Sequence, residues 1–322
     1  IEDARSSTDR RSRKRKHANR RNKQSADNKR SKRTRLNVFK TWEEDPIHNM
    51  ATDSTCFPWP MNFGSTLLKN ELHLGDSFNT YSGLSFSLRE MAIAWNECDQ
   101  FDILDFLAVI YFNLCSESLS EFVYVVKWIA HILQMPFKKT GVALAFVGAP
   151  GIGKGMLNTF ITHALGATNI FHVPASKINT DFNTHLMNKI FVYLDECKIQ
   201  QDDFNRLKTY ITEDTAVDHA KNKTPKLSKN FSNFSLTTNI NEYIQGLEAA
   251  DRRFAFSMCV ETAKPENKTI LNYIQEKLDA SRKSDWSLYK ALSWFFVNID
   301  LSDFVPSNYV KNDKFSQLMR RN

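Results

Sequence analysis

The spacing of apolar residues changes character along the chain. Before about residue 88 it has no sustained period. Leu88, Met91, Ala92 and Trp95 then recur at helical spacing, followed by Ile103, Leu104, Leu107, Ile110 and Tyr111, and by Phe122, Val125, Val126, Ile129 and Leu133. These runs predict a helical region over 89–135, closed by Pro136. Next comes Val142–Val147, a continuous apolar run of the kind a strand covered on both faces carries. A glycine-rich loop and a helix from about Lys154 to Leu165 follow. Further strands are expected at Ile190–Leu194, Asn230–Thr238 and Arg253–Val260, with a helix over Asp202–Thr212. Helix returns over 266–300, where Ile270, Tyr273, Ile274 and Leu278 share a face, as do Leu288, Leu292 and Phe295. Strands alternating with helices predict an α/β fold, a parallel sheet flanked by helices. No internal repeat is apparent.

Charge divides the chain differently. The 322 residues carry a formal +7. Residues 1–35 hold 15 Lys+Arg against 4 Asp+Glu, a net of +11, so the remainder carries −4. The basic character belongs to the tail, and any basic binding surface on the body is local. The expected organisation is a basic disordered tail over 1–40, an irregular then helical subdomain over 41–135, an α/β core over 136–262 and a helical segment over 263–322. The tail's Arg10–Lys16 and Lys29–Arg35 clusters suit nuclear import, a phosphate-binding arm or a solvated linker. The longest apolar stretches, Ile103–Cys115 and Phe122–Phe137, are too short or too interrupted to span a bilayer, and the polar first residues lack the apolar run of a signal peptide. The five cysteines are dispersed and form no C-x-x-C pair, which argues against a disulfide framework or zinc site and for a reducing, intracellular compartment. The chain begins at Ile1 rather than Met, which is compatible with an upstream domain.

The strongest chemical signal is Gly148-Ala149-Pro150-Gly151-Ile152-Gly153-Lys154-Gly155-Met156, directly after the first apolar strand. Gly-x4-Gly-Lys in that context is the core of a Walker A loop. Its glycines let successive backbone N–H groups turn toward phosphate oxygens, the helix that follows points its positive end at the same place, and Lys154 would reach the β- and γ-phosphates. One departure stands out: Gly155 occupies the position where Ser or Thr usually offers Mg²⁺ a hydroxyl. The metal would then depend on water, nucleotide oxygens and carboxylates.

Three later features extend this reading. Asp195-Glu196 follows Phe191-Val192-Tyr193-Leu194, so a strand ends in two acids. Asp195 would hold Mg²⁺ through water, and Glu196 would polarise the attacking water. Asn239 closes the third strand and would sense the γ-phosphate, although asparagine is also an ordinary turn residue there. Arg252 and Arg253 precede the fourth strand; one of them would cross to a neighbouring subunit's nucleotide, while a solvated basic pair fits the same residues. Between acids and asparagine, a lysine-rich stretch from Lys208 to Lys229 reads as a hairpin able to follow a nucleic-acid backbone, or as a solvated loop.

Taken in order, these segments resemble a superfamily 3 helicase, in particular the helicase domain of viral-type primase-helicases of phages, large DNA viruses and virus-like mobile elements. Gly-Lys-Gly in the loop, Leu207–Glu213 after the acids, Asp251–Phe254 after the asparagine and Tyr124–Pro136 as a helical lead-in all match. The resemblance covers roughly residues 89–310. It implies an AAA+-like core, a homo-hexameric ring, ATP and Mg²⁺ at subunit interfaces, and translocation on single-stranded or forked DNA. His219, Lys221 and Lys223 are the nearest matches to the family's DNA-gripping hairpin residues. It also implies association with a primase domain or other replication proteins. Two other readings stay open: a P-loop motor acting on RNA or in genome packaging, and a degenerate ATPase that only scaffolds nucleic acid.

Overall fold

The computed structural model describes residues 83–173, 189–195, 201–218, 226–239, 251–260 and 263–309. Three helices come first: α1 (Leu88–Glu97), α2 (Gln100–Val109) and α3 (Leu119–Gln134). Each has a side-chain cap at its start, Ser87, Asp99 and Ser118 respectively, and at α1 Glu90 returns the bond to form a capping box. One π-helical turn, Ile110–Leu114, continues α2.

Five parallel strands form the sheet: β1 (Ala143–Val147), β2 (Ile170–Val173), β3 (Phe191–Asp195), β6 (Asn233–Thr238) and β7 (Phe254–Met258), in the order β2-β3-β6-β1-β7. A separate antiparallel pair, β4 (Thr215–Asp218) and β5 (Lys226–Lys229), lies between β3 and β6 in sequence. The helices among the strands are α4 (Lys154–Leu165) and α5 (Gln201–Thr212); α6 (Pro265–Lys283) and α7 (Ser287–Val297) follow the sheet.

Strand alternation distributes the core over two faces. From β1, Leu144 and Phe146 join α1–α4, α6 and α7 in the larger cluster. Ala143, Ala145 and Val147 turn the other way, toward Phe204, Leu207 and Ile211 of α5. The larger cluster runs in sequence from Met91 to Leu301, so helices before and after the sheet share one core.

A fully bonded buried asparagine ties the lower edge of the sheet. Asn233 Oδ1 accepts from the Thr140 backbone N–H at 2.8 Å and its hydroxyl at 2.9 Å, while its Nδ2 donates to the carbonyls of Ile190 and Phe231. This fixes the entries to β1, β3 and β6 relative to one another. Register then follows: Val147 lies beside Thr238, and Asp195 beside Thr237.

The expected strands and helices match these elements to within a few residues. The sequence reading missed β2, whose four residues include a half-polar Phe-His pair and have no long apolar run. Arg253 was expected to open the fourth strand, but it and Arg252 occupy the turn just before β7. Among the described residues, no helix is long and apolar enough to cross a membrane. The basic tail lies outside the described residues.

Candidate nucleotide site

The loop 148–153 leaves the carboxyl end of β1 and enters α4. Two glycines there are demanded by geometry. A Cβ on Gly148 would stand 2.5 Å from Cys259 Cβ, and Gly153 holds φ +109° with Val109 Cγ1 2.8 Å from where its Cβ would be. Gly153 is also the N-cap, and it supplies no capping side chain. The first N–H groups of α4 therefore lack a side-chain cap, an arrangement suited to an anion.

Lys154, buried at the start of α4, is held in the loop by oxygen acceptors. Its Nζ donates to the carbonyls of Gly148, of Ala149 at 3.1 Å and of Thr238 at 3.2 Å, and to Asn239 Oδ1 at 3.2 Å. The lysine and Asn239, 85 residues apart, thus meet directly. Asp195, at the end of β3, accepts a hydrogen bond from the Thr237 hydroxyl of β6, which fixes the rotation of its carboxylate.

Two residues that sequence reasoning missed shape the loop. Asn113, in the π-helical turn, donates from Nδ2 to the Ile152 carbonyl at 3.1 Å, and its backbone carbonyl accepts from Val260 N–H. Cys259 packs against Gly148 and its N–H bonds the Val147 carbonyl; burial pushes its thiol up to about 12, so it stays protonated at neutral pH. No motif announces either, because each contact joins distant parts of the chain.

A cavity of about 510 Å³ opens over the loop. It is lined by Pro150, Gly151, Gly153, Lys154, Gly155 and Met156, with Thr159 and Asp195, and by Gln275, Leu278, Asp279 and Arg282 of α6 with Tyr289 of α7. The part played by α6 and α7 was not expected from sequence. The polar residues of α6 have the spacing of any solvated helix face.

The arginine turn lies elsewhere. Asp251 is buried and accepts from the Arg253 N–H at 3.0 Å, from Arg253 Nη1 at 3.3 Å and from Lys208 Nζ at 3.1 Å. Burial opposes its charge, but these donors outweigh burial and hold its carboxyl below the usual carboxylate range. Tyr309 donates to the Asp251 carbonyl at 2.9 Å. Arg253 is therefore turned back into its own chain, while Arg252 is exposed. Lys208, which the sequence reading grouped with the hairpin lysines, belongs to α5 and to this network. Glu196, His219, Lys221 and Lys223 lie outside the described residues, the last three in the segment that joins β4 to β5.

The chemistry of this donor set fits a nucleotide. Lys154 and Arg282, the open helix N–H groups and the carboxylates of Asp195 and Asp279 line a cavity of ligand size. Among the described residues no three His, Cys, Asp or Glu side chains gather for a metal ion. Asp195 is thus suited to a Mg²⁺ that takes its other ligands from water and phosphate oxygens.

Comparison with known proteins adds a relationship. Over 184 residues the chain is 31% identical to the DNA primase-polymerase of Nitratiruptor phage NrS-1. The match covers 55% of this chain and 25% of the NrS-1 protein, so the chain spans about a quarter of that relative. Two structures of the NrS-1 C-terminal region share the fold. The A form apo structure has a TM-score of 0.53 at 24% identity, covering 68% of this chain and 51% of that one. The A form apo structure of residues 305–718 has a TM-score of 0.50 at 24% identity, covering 67% and 49%. A family of unknown function, DUF5906, matches residues 146–253, the stretch from the phosphate loop to the arginine turn.

Proposed function

We propose that this chain is the ATP-hydrolysing motor of a viral or virus-like DNA replication protein, a superfamily 3-type helicase domain with an AAA+-like core. One observation carries the reading: the loop and Asp195 line one cavity at the carboxyl ends of the parallel strands β1 and β3, and Asn239, at the end of β6 between them, accepts a hydrogen bond from Lys154 of that loop. Ligands of open α/β sheets bind at such strand ends. The relationship to a DNA primase-polymerase supports DNA replication as the setting.

The following roles suit that geometry. Lys154 exchanges loop carbonyls for the β- and γ-phosphate oxygens, and α4 directs its N–H groups at them. Mg²⁺, when bound, would supply charge neutralisation at those oxygens, and Asp195, oriented by the Thr237 hydroxyl, is the residue that would hold it. Asn239, released from Lys154, turns its amide toward the γ-phosphate or the attacking water, and Glu196 polarises that water. In a homo-hexameric ring Arg252, rather than Arg253, reaches the neighbour's nucleotide, because Arg253 is tied to Asp251. The β4–β5 hairpin carries His219, Lys221 and Lys223 along single-stranded DNA.

ATP hydrolysis and strand displacement, measured with single-stranded DNA, forked DNA and RNA, test this function, with molecular mass measured in the presence of ATP. We predict hydrolysis stimulated several-fold by single-stranded DNA, displacement of the forked strand, and a mass near six chains. Stimulation by RNA alone would favour an RNA motor. Absence of hydrolysis under every condition would reduce the chain to a nucleic-acid scaffold.

A further inference from the structure

The stretch behind the phosphate loop is irregular backbone. α2 gives way to the π-helical turn Ile110–Leu114, where the Cys115 N–H reaches back five residues to the Ile110 carbonyl at 2.9 Å. Such turns are frequent at functional sites. Ser116 and Glu117 follow with φ of +48° and +65°, a left-handed backbone that non-glycine residues rarely adopt and that persists where the surroundings hold it. The surroundings here are the end of β7. Val260 N–H donates to the Asn113 backbone carbonyl at 3.0 Å, Ser257 Oγ to the Leu114 carbonyl at 2.7 Å, and Ser116 Oγ to the Met258 carbonyl. The turn is thereby pinned, with the Asn113 side chain aimed at the loop.

Asn113 is fully buried, and its side-chain amide uses only one end. Nδ2 donates to the Ile152 carbonyl at 3.1 Å, while Oδ1 has no hydrogen-bond partner among the described residues. Turning the amide over would set two acceptors against each other, so the Ile152 carbonyl fixes its orientation. A buried acceptor without a donor is destabilising. Leucine has nearly the same shape and carries no such acceptor, so packing alone does not account for asparagine here.

The bond acts on one particular peptide. Ile152–Gly153 is trans, and the C=O and N–H of a trans peptide point in opposite directions. With the carbonyl held toward Asn113, the Gly153 N–H is turned away from the π-helical turn, and Gly153 lines the cavity. Glycine accepts φ of either sign, so residue 153 itself does not prevent this peptide from turning over and presenting its carbonyl, which repels an anion. We infer that Asn113 is a positioning residue for phosphate binding: through the Ile152 carbonyl it keeps the Gly153 N–H facing the anion. The inference rests on the proposed reading of the loop as a phosphate site.

Binding of inorganic tripolyphosphate to the wild type, Asn113→Leu, Asn113→Asp and Lys154→Ala tests this, with thermal unfolding of each protein. Asn113→Leu removes the orphan acceptor but leaves the Ile152 carbonyl without its donor, two effects of opposite sign, so its melting temperature should stay within a few degrees of the wild type. Its tripolyphosphate affinity should fall about tenfold or more, the scale of one lost hydrogen bond to a charged group. Asn113→Asp separates positioning from packing. An ionised carboxylate only accepts and repels the Ile152 carbonyl, whereas a protonated one donates its O–H to it. The wild-type to Asn113→Asp affinity ratio should therefore be about tenfold or more at pH 8 and approach one as the pH falls and the carboxyl takes up a proton. Glu121 of α3, Lys154 of α4, Cys115 and Cys259 are the ionisable groups that interact around the turn; they are common to both proteins and cancel in the ratio, as does the ligand's own titration. Wild-type affinity in Asn113→Leu, or a ratio for Asn113→Asp that stays flat with pH, would overturn the role of Asn113, while loss of binding in Lys154→Ala would leave the phosphate loop standing. If Lys154→Ala binds tripolyphosphate as well as the wild type does, the phosphate reading fails and takes this inference with it.

Discussion

Gly153 and Gly155 flank Lys154, yet their surroundings differ. Gly153 has a positive φ and a crowded Cβ direction, whereas Gly155 is helical and faces open space. Gly155→Ala should therefore stabilise the protein by about 0.5–1 kcal/mol through helix propensity, and Gly153→Ala should destabilise it by more than ~1 kcal/mol. Urea unfolding of both variants measures this; equal effects at the two positions would contradict the loop geometry. The sequence motif set Gly155 apart only by the hydroxyl it lacks, and did not show which of the two glycines the backbone demands. It did show where the lysine and carboxylate stand, because backbone geometry imposes glycine, lysine and acid at strand ends. It did not show Asn113, whose bond to Ile152 spans 39 residues. Nor did it distinguish Arg252 from Arg253, a difference set by Asp251 and Lys208.

At the scale of elements, α5 links the sheet to the hairpin. Its last carbonyls are capped from outside: Lys139 Nζ donates to Tyr210 and Glu213, each at 2.7 Å, and Asn230 Nδ2 donates to the same two. β4 begins two residues later, so this cap fixes where the hairpin leaves the body. Burial pushes the Lys139 amine from its usual 10.5 down to about 8, despite the nearby carboxylates of Asp214 and Glu213. Between those two pH values the folded chain has released a proton that the unfolded chain still binds, so stability from this group rises with pH across that window. Relative to Lys139→Met, the wild type should gain on the order of 1–3 kcal/mol as pH rises from about 8 to about 10.5, read by chemical unfolding at each pH. A flat difference would show that Lys139 keeps an ordinary affinity for its proton. Long helices and buried strands were legible because their apolar periods are strong. β2 was not, since four residues with an exposed histidine leave too short a pattern.

Across the whole molecule, the sheet separates two tasks. One face packs against the helices that line the cavity, and the other packs against α5, which leads to the hairpin. The arginine turn joins them, because Asp251 bonds Lys208 of α5 and lies at the entry to β7. The α/β class and the order of motifs were readable along the chain. The contribution of α6 to the cavity was not, because a solvated helix face and a cavity-lining one share the same spacing. All of this depends on the loop being a working phosphate site. Steady-state ATP hydrolysis by the wild type and Lys154→Ala, at matched thermal stability and in the presence of single-stranded DNA, tests it most directly. The account predicts a loss of about a hundredfold or more, since the lysine is one of the few charges positioned to stabilise the transferring phosphoryl group. An unchanged rate in Lys154→Ala would contradict it.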